Sequence, residues 1–307
     1  MLRSMYSGVS GMKNLQVKMD VISNNIANVN TIGFKSSRVM FQDVMSQTTA
    51  QATLPGAAAG LGGTNPQQIG LGVQVGSIDT IHEPGAATAT GRDLDFYLEG
   101  SGYFVVKDGE GNALYTRDGI FTRDGAGRIV NSSGMMVMGS RPDGGSMTQE
   151  AYNTALSNGN DPLAFPRDTG TNPATVLQEL TVPATMGTPA QEYQSMAIDK
   201  YGVVTAKYGN ETYVLGKVSI ATFNNPDALQ KLGGNNYDSN VNTGNAIIAG
   251  AGENGSGMML SGKIEMSNVD LSTEFTEMIV ASRAYQANSR SITTSDEMIQ
   301  ELLNLKR

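Results

Sequence analysis

The chain has 307 residues, of which one is His and none is Cys. That inventory closes most routes to chemistry at the start. With no thiol there are no disulfides, no thiolate metal ligands and no cysteine nucleophile. Zinc sites draw on several His or Cys residues, and His82 stands alone. No Gly-x-Ser-x-Gly elbow occurs to present a serine to His82, so the expected role of His82 is structural. Carboxylates are plentiful: Asp79, Glu83, Asp93, Asp95, Asp118 and Asp124 among them. Spacing by itself leaves a glycosidase-like pair open. Asp118 and Asp124 stand beside Gly, however, where an Asp side chain serves the turn. The Gly-rich run at 60–63 has no Lys-Ser/Thr after it, and Gly109-Glu110-Gly111 reads as a hairpin. The expectation is no enzyme, no cofactor and no metal.

The elements that would position such groups fall into two kinds. Apolar residues Met5, Val9, Met12, Leu15, Met19, Ile22 and Ile26 recur in steps of three and four, which predicts a helix. That helix should fade through Asn28-Val29-Asn30-Thr31 and stop by Gly33. Leu271 and Phe275 lead into a second stripe: Met278, Ala281, Tyr285, Asn288, Ile292, Ser295, Ile299 and Leu302. This has heptad character, and the polar residues at 288 and 295 would set register at a cost in stability. Ser267-Asn268-Val269-Asp270 has the pattern of a capping box at its start. With no Pro or Gly from Val269 to Arg307, one long helix is predicted. Two terminal stripes of this kind pack naturally on each other and on neighbouring copies.

The middle of the chain alternates with period two. Leu71–Ile78, Asp93–Leu98, Tyr103–Val106, Gly202–Ala206, Tyr213–Leu215 and Lys217–Phe223 read as strands, with Asp-Gly turns at 118–119 and 124–125. Residues 46–70 are rich in Gln, Thr, Ala and Gly, and 140–194 holds most of the Pro. The predicted class is α+β: long N- and C-terminal helices forming a coiled-coil domain, and a central all-β domain with a short insertion. The expected boundaries are 1–32 and 268–307 for the helical domain and 33–70 for an extended connector. The β domain should run over 71–139 and 195–267, with 140–194 inserted.

Bulk properties narrow the partners. A formal net charge of −8 argues against a general nucleic-acid binder. No window approaches eighteen apolar residues, so no membrane insertion is expected, and Ser4, Ser7, Gly8, Ser10 and Gly11 break up anything like a cleavable signal peptide. The seventeen Met residues suit packed surfaces that readjust.

Both ends then carry a resemblance. Ser23-Asn24-Asn25-Ile26-Ala27-Asn28-Val29-Asn30-Thr31-Ile32-Gly33-Phe34-Lys35 resembles the N-terminal signature of the flagellar axial proteins of the rod and hook. Ser267-Asn268-Val269-Asp270-Leu271, with Met278-Ile279 and Arg283-Ala284-Tyr285-Gln286-Ala287-Asn288, resembles their C-terminal one. Gly100-Ser101-Gly102-Tyr103-Phe104 and Tyr115-Thr116-Arg117-Asp118-Gly119 are similar to intermediate pieces. The resemblance implies a structural subunit that leaves the cell through the flagellar export apparatus with an uncleaved N-terminus. It implies polymerisation with itself into a tube lined by terminal helices, beside rod, hook-cap and hook–filament junction proteins. Within the family, Gly63–Gly72, Thr293–Met298 and Leu302–Arg307 are similar to hook subunits, which implies a flexible joint; a distal-rod drive shaft is the alternative. The residues then expected to mediate assembly are Met5, Val9, Met12, Leu15, Met19, Ile22, Asn24, Asn25, Ile26, Asn28, Phe34, Leu271, Phe275, Met278, Tyr285, Asn288, Ile292, Ile299 and Leu302. Two readings from other classes stay open: a glycan-acting enzyme with a β core, and a monomeric adhesin-like binding module.

Overall fold

The computed structural model describes residues 2–54, 62–142, 146–158, 161–165, 177–187 and 191–304. Its helices include α1 (Leu2–Ala27), α2 (Gln149–Ser157) and α3 (Leu271–Asn304). The class is mixed helix and sheet, with helices at both ends and a mostly β centre. The chain divides into two units. The first holds Met1–Asn28, Ser36–Ile81 and Val269–Arg307; the second holds Val29–Lys35 and His82–Asn268.

In the first unit α1 and α3 pack together along their stripes. Two small residues permit a close approach. A Cβ on Gly8 would lie 3.2 Å from Cγ1 of Ile292, and one on Gly11 would lie 2.9 Å from Nδ2 of Asn288. α1 ends at Ala27, where Asn28 donates its backbone N–H to the carbonyls of Asn24 and Asn25. α3 begins one turn later than a cap at Ser267 would place it. Asp270 is the cap: its carboxylate accepts from the Ser272 N–H at 3.0 Å and from Thr273 Oγ1 at 2.6 Å. Those bonds, the Thr273 hydroxyl first, hold its pKa below the usual carboxylate range.

Three short strands lie within the stretch expected as a connector over 33–70. β1 (Ser37–Asp43) pairs antiparallel with β4 (Val73–Thr80), with a register shift between Met40 and Phe41. β2 (Gln47–Ala50) pairs with β3 (Gln67–Ile69). Thus the strand anticipated over 71–78 forms as Val73–Thr80, but its partner is β1 in the helical unit, and the chain passes into the long stretch of the β unit only at His82. Local alternation announces a strand and is silent on its partner. The Ala57–Gly60 run lies outside the described residues.

The second unit is a β fold. Strands 191–198, 203–208, 211–218, 136–140, 103–107 and 113–116 follow one another across an antiparallel sheet. Phe96, Leu98, Phe104, Val106, Phe121, Val137, Val204, Leu215 and Ile220 fill its main core. Part of the expected insertion belongs to that core: Leu180 and Val182 are buried in it, and Leu163 packs with Tyr152 of α2, Val203 and Val214. The Pro and Gly density of 140–194 hides those apolar anchors from a pattern search.

Candidate assembly surface

The helix pair shows which stripe residues serve the chain itself. Ile22 and Ala281 are buried in the first unit, and Ser295 is buried with its hydroxyl donating to the Ser291 carbonyl at 2.8 Å. Met5, Met12, Leu15, Met19, Ile26, Met278, Asn288, Ile292 and Ile299 are half-buried. Lys18 pairs with Glu277 at 3.1 Å across the two helices. Asn25 is 1% exposed and uses its amide inside the chain. It donates to the Ser37 carbonyl at 2.8 Å and to Glu274 Oε1 at 2.9 Å, and accepts from the Ser37 N–H at 3.0 Å. Burial raises the Glu274 pKa, with the Asn25 bond opposing it. Asn28 turns its amide back onto Asn24, which is itself exposed.

Other stripe residues face solvent. Val9, Leu271, Phe275, Tyr285 and Leu302 are exposed, Phe275 by 50%. The structure adds residues that stripe counting missed: Tyr6, Ile279, Val280, Met298 and Leu303 on the helices, Met40, Phe41, Ile69 and Ile78 on the strands of the same unit, and Met45 and Leu71 between its strands. Among the described residues, most of the exposed large apolar side chains belong to this unit. The pair Ile279-Val280 was the available signal, because it widens the α3 stripe beyond one face. A soluble monomer seldom exposes apolar groups so densely, and such surfaces mark contact with another molecule.

Phe34 belongs elsewhere. It is buried in the β unit, with the Lys231 ammonium 5.1 Å from its ring centroid. The segment 29–35 is tied down there by a cluster that local patterns did not reveal. Gly33 has φ of +66°, and a Cβ would come within 3.0 Å of the Arg117 carbonyl carbon and the Asp118 nitrogen, so only Gly fits. Asn235 Nδ2 donates to the Ile32 carbonyl at 2.6 Å. Lys35, fully buried, donates to Glu265 Oε1 at 2.5 Å and to the Glu83 carbonyl at 2.7 Å. Arg117 reaches the other oxygen of Glu265 at 3.2 Å and donates to the carbonyls of Leu98 and Gly100. Two buried cations thus share one buried carboxylate. Desolvation holds the Lys35 pKa below its ordinary value, against the raising pull of Glu265.

His82, Asp118 and Asp124 have structural employment. His82 Nδ1 lies 2.5 Å from Tyr103 Oη, and its ring meets Tyr103 and Tyr237 edge-on. Burial, with the cations Lys35, Lys231 and Arg117 nearby, lowers its pKa to about 4. Burial also pushes both phenols upward. Asp124 accepts from the backbone N–H groups of Ala126 and Arg128, and Asp118 from Ile120 N–H and the Ser132 hydroxyl, so both hold turns. Among the described residues no cluster of three or more His, Cys, Asp or Glu could hold a metal, and no helix is long and apolar enough to cross a membrane.

Three family models match the chain. The family described as Flagella basal body rod protein matches residues 5–35, Flagellar hook protein FlgE/F/G D1 domain matches 97–206, and Flagellar basal body rod FlgEFG protein C-terminal matches 260–305. The Flagellar basal-body rod protein FlgG of Bacillus subtilis is 45% identical over 308 residues, spanning 100% of both chains. The Flagellar hook protein FlgE of Borreliella burgdorferi is 32% identical over 444 residues, again spanning 100% of each. A Flagellar basal-body rod protein FlgG of Buchnera aphidicola is 33% identical over 309 residues, spanning 99% of this chain and 100% of its own. Exposed apolar helices at both ends, a mostly β centre and full-length likeness to these relatives lead to one conclusion: the chain belongs to the family of flagellar rod and hook proteins, structural components of the motility apparatus and not enzymes.

Proposed function

We propose that this chain is a subunit of the distal rod, polymerising with itself into a straight tubular shaft. The observation that carries self-assembly is the apolar surface of the helical unit, above all Leu271, Phe275, Ile279, Val280, Leu302 and Leu303 on α3. Each such side chain fully buried against a neighbour contributes about 1.5–3 kcal/mol. In this reading α1 and α3 join copies of themselves in an inner coiled-coil layer around a central channel. Repeated heterologous contacts extend the tube without closure. The chain reaches its place through the flagellar export apparatus without a cleaved signal, and its ends meet other rod and hook components. Most helical stability comes from packing of an amphipathic face, and contacts between copies add to the packing within the pair, so helicity rises on assembly.

Length favours rod over hook. The relatives named as rod proteins align over 308 and 309 residues, close to the 307 of this chain, whereas those named as hook proteins need 444 and 466. The hook expected from the sequence motifs becomes the second reading, supported by the hook-like stretches at 63–72 and 293–298 and by a Met-rich surface able to slide. The test is light scattering at rising concentration with negative-stain imaging and far-UV helicity before and after. Straight polymers with a gain in helicity are expected; curved ones favour the hook. A chain that stays monomeric at every concentration refutes both.

A further inference from the structure

The chain has no Cys, so oxidants that would normally spend themselves on thiolates meet thioethers instead. The seventeen Met residues differ sharply in access. Met138 and Met259 are each 1% exposed and locked in the β cores. Met45 is 84% exposed, Met298 49% and Met40 47%. All three belong to the helical unit that carries the apolar surface. Met40 precedes exposed Phe41 on β1, and Met298 lies one helical turn before exposed Leu302 on α3. Among the described residues the other strongly exposed thioether, Met258 at 46%, is in the β unit and supplies an internal control.

We propose that Met40, Met45 and Met298 are modification sites through which a hypohalous acid or peroxide reversibly blocks assembly of the free subunit. The inference rests on the self-assembly reading above. In the step, the thioether sulfur attacks the oxygen of hypochlorous acid. An S–O bond forms and the O–Cl bond breaks. Sulfur loses two electrons, chlorine leaves as chloride, and the hydroxyl proton passes to water. The product sulfoxide is a polar acceptor where an apolar, pliable group stood. Exposed on a free subunit it costs nothing, since water hydrates it. Closed into an apolar contact between copies it has no donor, and that asymmetry opposes polymerisation. Reduction of the sulfoxide by a thiol-dependent reductase restores the surface. An assembled tube would bury the same atoms and resist attack, so sensitivity belongs to the subunit before incorporation.

The test uses the full chain, treated with limiting hypochlorite and mapped by peptide mass spectrometry. Sulfoxide should form first at Met40, Met45, Met298 and Met258, and last at Met138 and Met259. The critical concentration for polymerisation should rise by at least about tenfold, the loss produced by one poorly satisfied polar group. Treatment with methionine sulfoxide reductases should return it. The triple variant Met40→Leu, Met45→Leu, Met298→Leu should polymerise equally well before and after oxidation, while Met258→Leu should stay sensitive. The thermal transition of the β unit should be unchanged. Any of the following overturns the inference: oxidised wild type with an unchanged critical concentration, a triple variant as sensitive as wild type, absence of sulfoxide at the three sites, or oxidation that melts the β unit. Failure of the untreated chain to polymerise is a separate result, and it removes the assembly reading and this inference together.

Discussion

Replacing Glu265 with Ala removes the single carboxylate that balances two buried cations. Glu265 is 1% exposed. It accepts from Lys35 at 2.5 Å, from Arg117 at 3.2 Å and from the Gly85 N–H at 2.9 Å. Its loss strands two buried positive charges and orphans a backbone donor. Breaking a buried pair by deleting one partner costs about 3–5 kcal/mol, and the unpaired N–H adds to this. For a unit of this size, 1 kcal/mol corresponds to about 2–4 °C, so a fall of about 8–16 °C is expected in the β-unit transition by calorimetry. Lys35→Met is the discriminating control. It leaves Arg117 and Glu265 as a matched pair and removes an ammonium that desolvation already disfavours. Its cost should be no more than about 1–2 kcal/mol, because well-packed apolar replacements of buried charges come close to neutral. A Glu265→Ala transition within about 3 °C of wild type would refute the charge-balance argument. So would a Lys35→Met loss equal to that of Glu265→Ala, because the cluster would then act through packing alone.

Three further outcomes follow from single sites. Because burial lowers the folded-state pKa of His82 to about 4, the folded protein binds that proton less tightly than the unfolded chain, whose value is near 6.5. Its contribution is complete above pH 6.5 and lost as pH falls toward 4, by about 3 kcal/mol in all; urea titrations at several pH values should show this slope, and His82→Gln should flatten it. Gly11→Leu should drive α1 and α3 apart, since even a Cβ would lie 2.9 Å from Asn288 Nδ2. A loss of about 1–3 kcal/mol in helix-pair stability by far-UV circular dichroism is expected, while Gly62→Ala, with open space around it, should change nothing. Asn25→Leu should cost about 1–3 kcal/mol and sharply increase hydrogen exchange at the Ser37 amide, because it removes the acceptor for that N–H.

The two terminal helices were legible because helical periodicity is local: Met5 through Ile26 and Met278 through Leu302 write their faces in steps of three and four. The Asp-Gly turns and several strands were legible for the same reason. The family was legible too, since its signatures are continuous stretches at both ends. What those stretches do was less so. The first part of the N-terminal signature, Ser23 to Asn28, stays with the helices, and the rest, Val29 to Lys35, enters the β unit. Phe34 therefore left the surface expected for it, and Asn25 turned inward.

Residue order alone determined the helical ends, the β centre and the family. Tertiary structure decided which strand Val73–Thr80 would join, which stripe residues remain exposed, and that Lys35 would meet a carboxylate 230 residues away. The reason is physical. Periodicity records which side of an element is apolar, whereas pairing, burial and ion balance depend on partners brought near only by closing long loops.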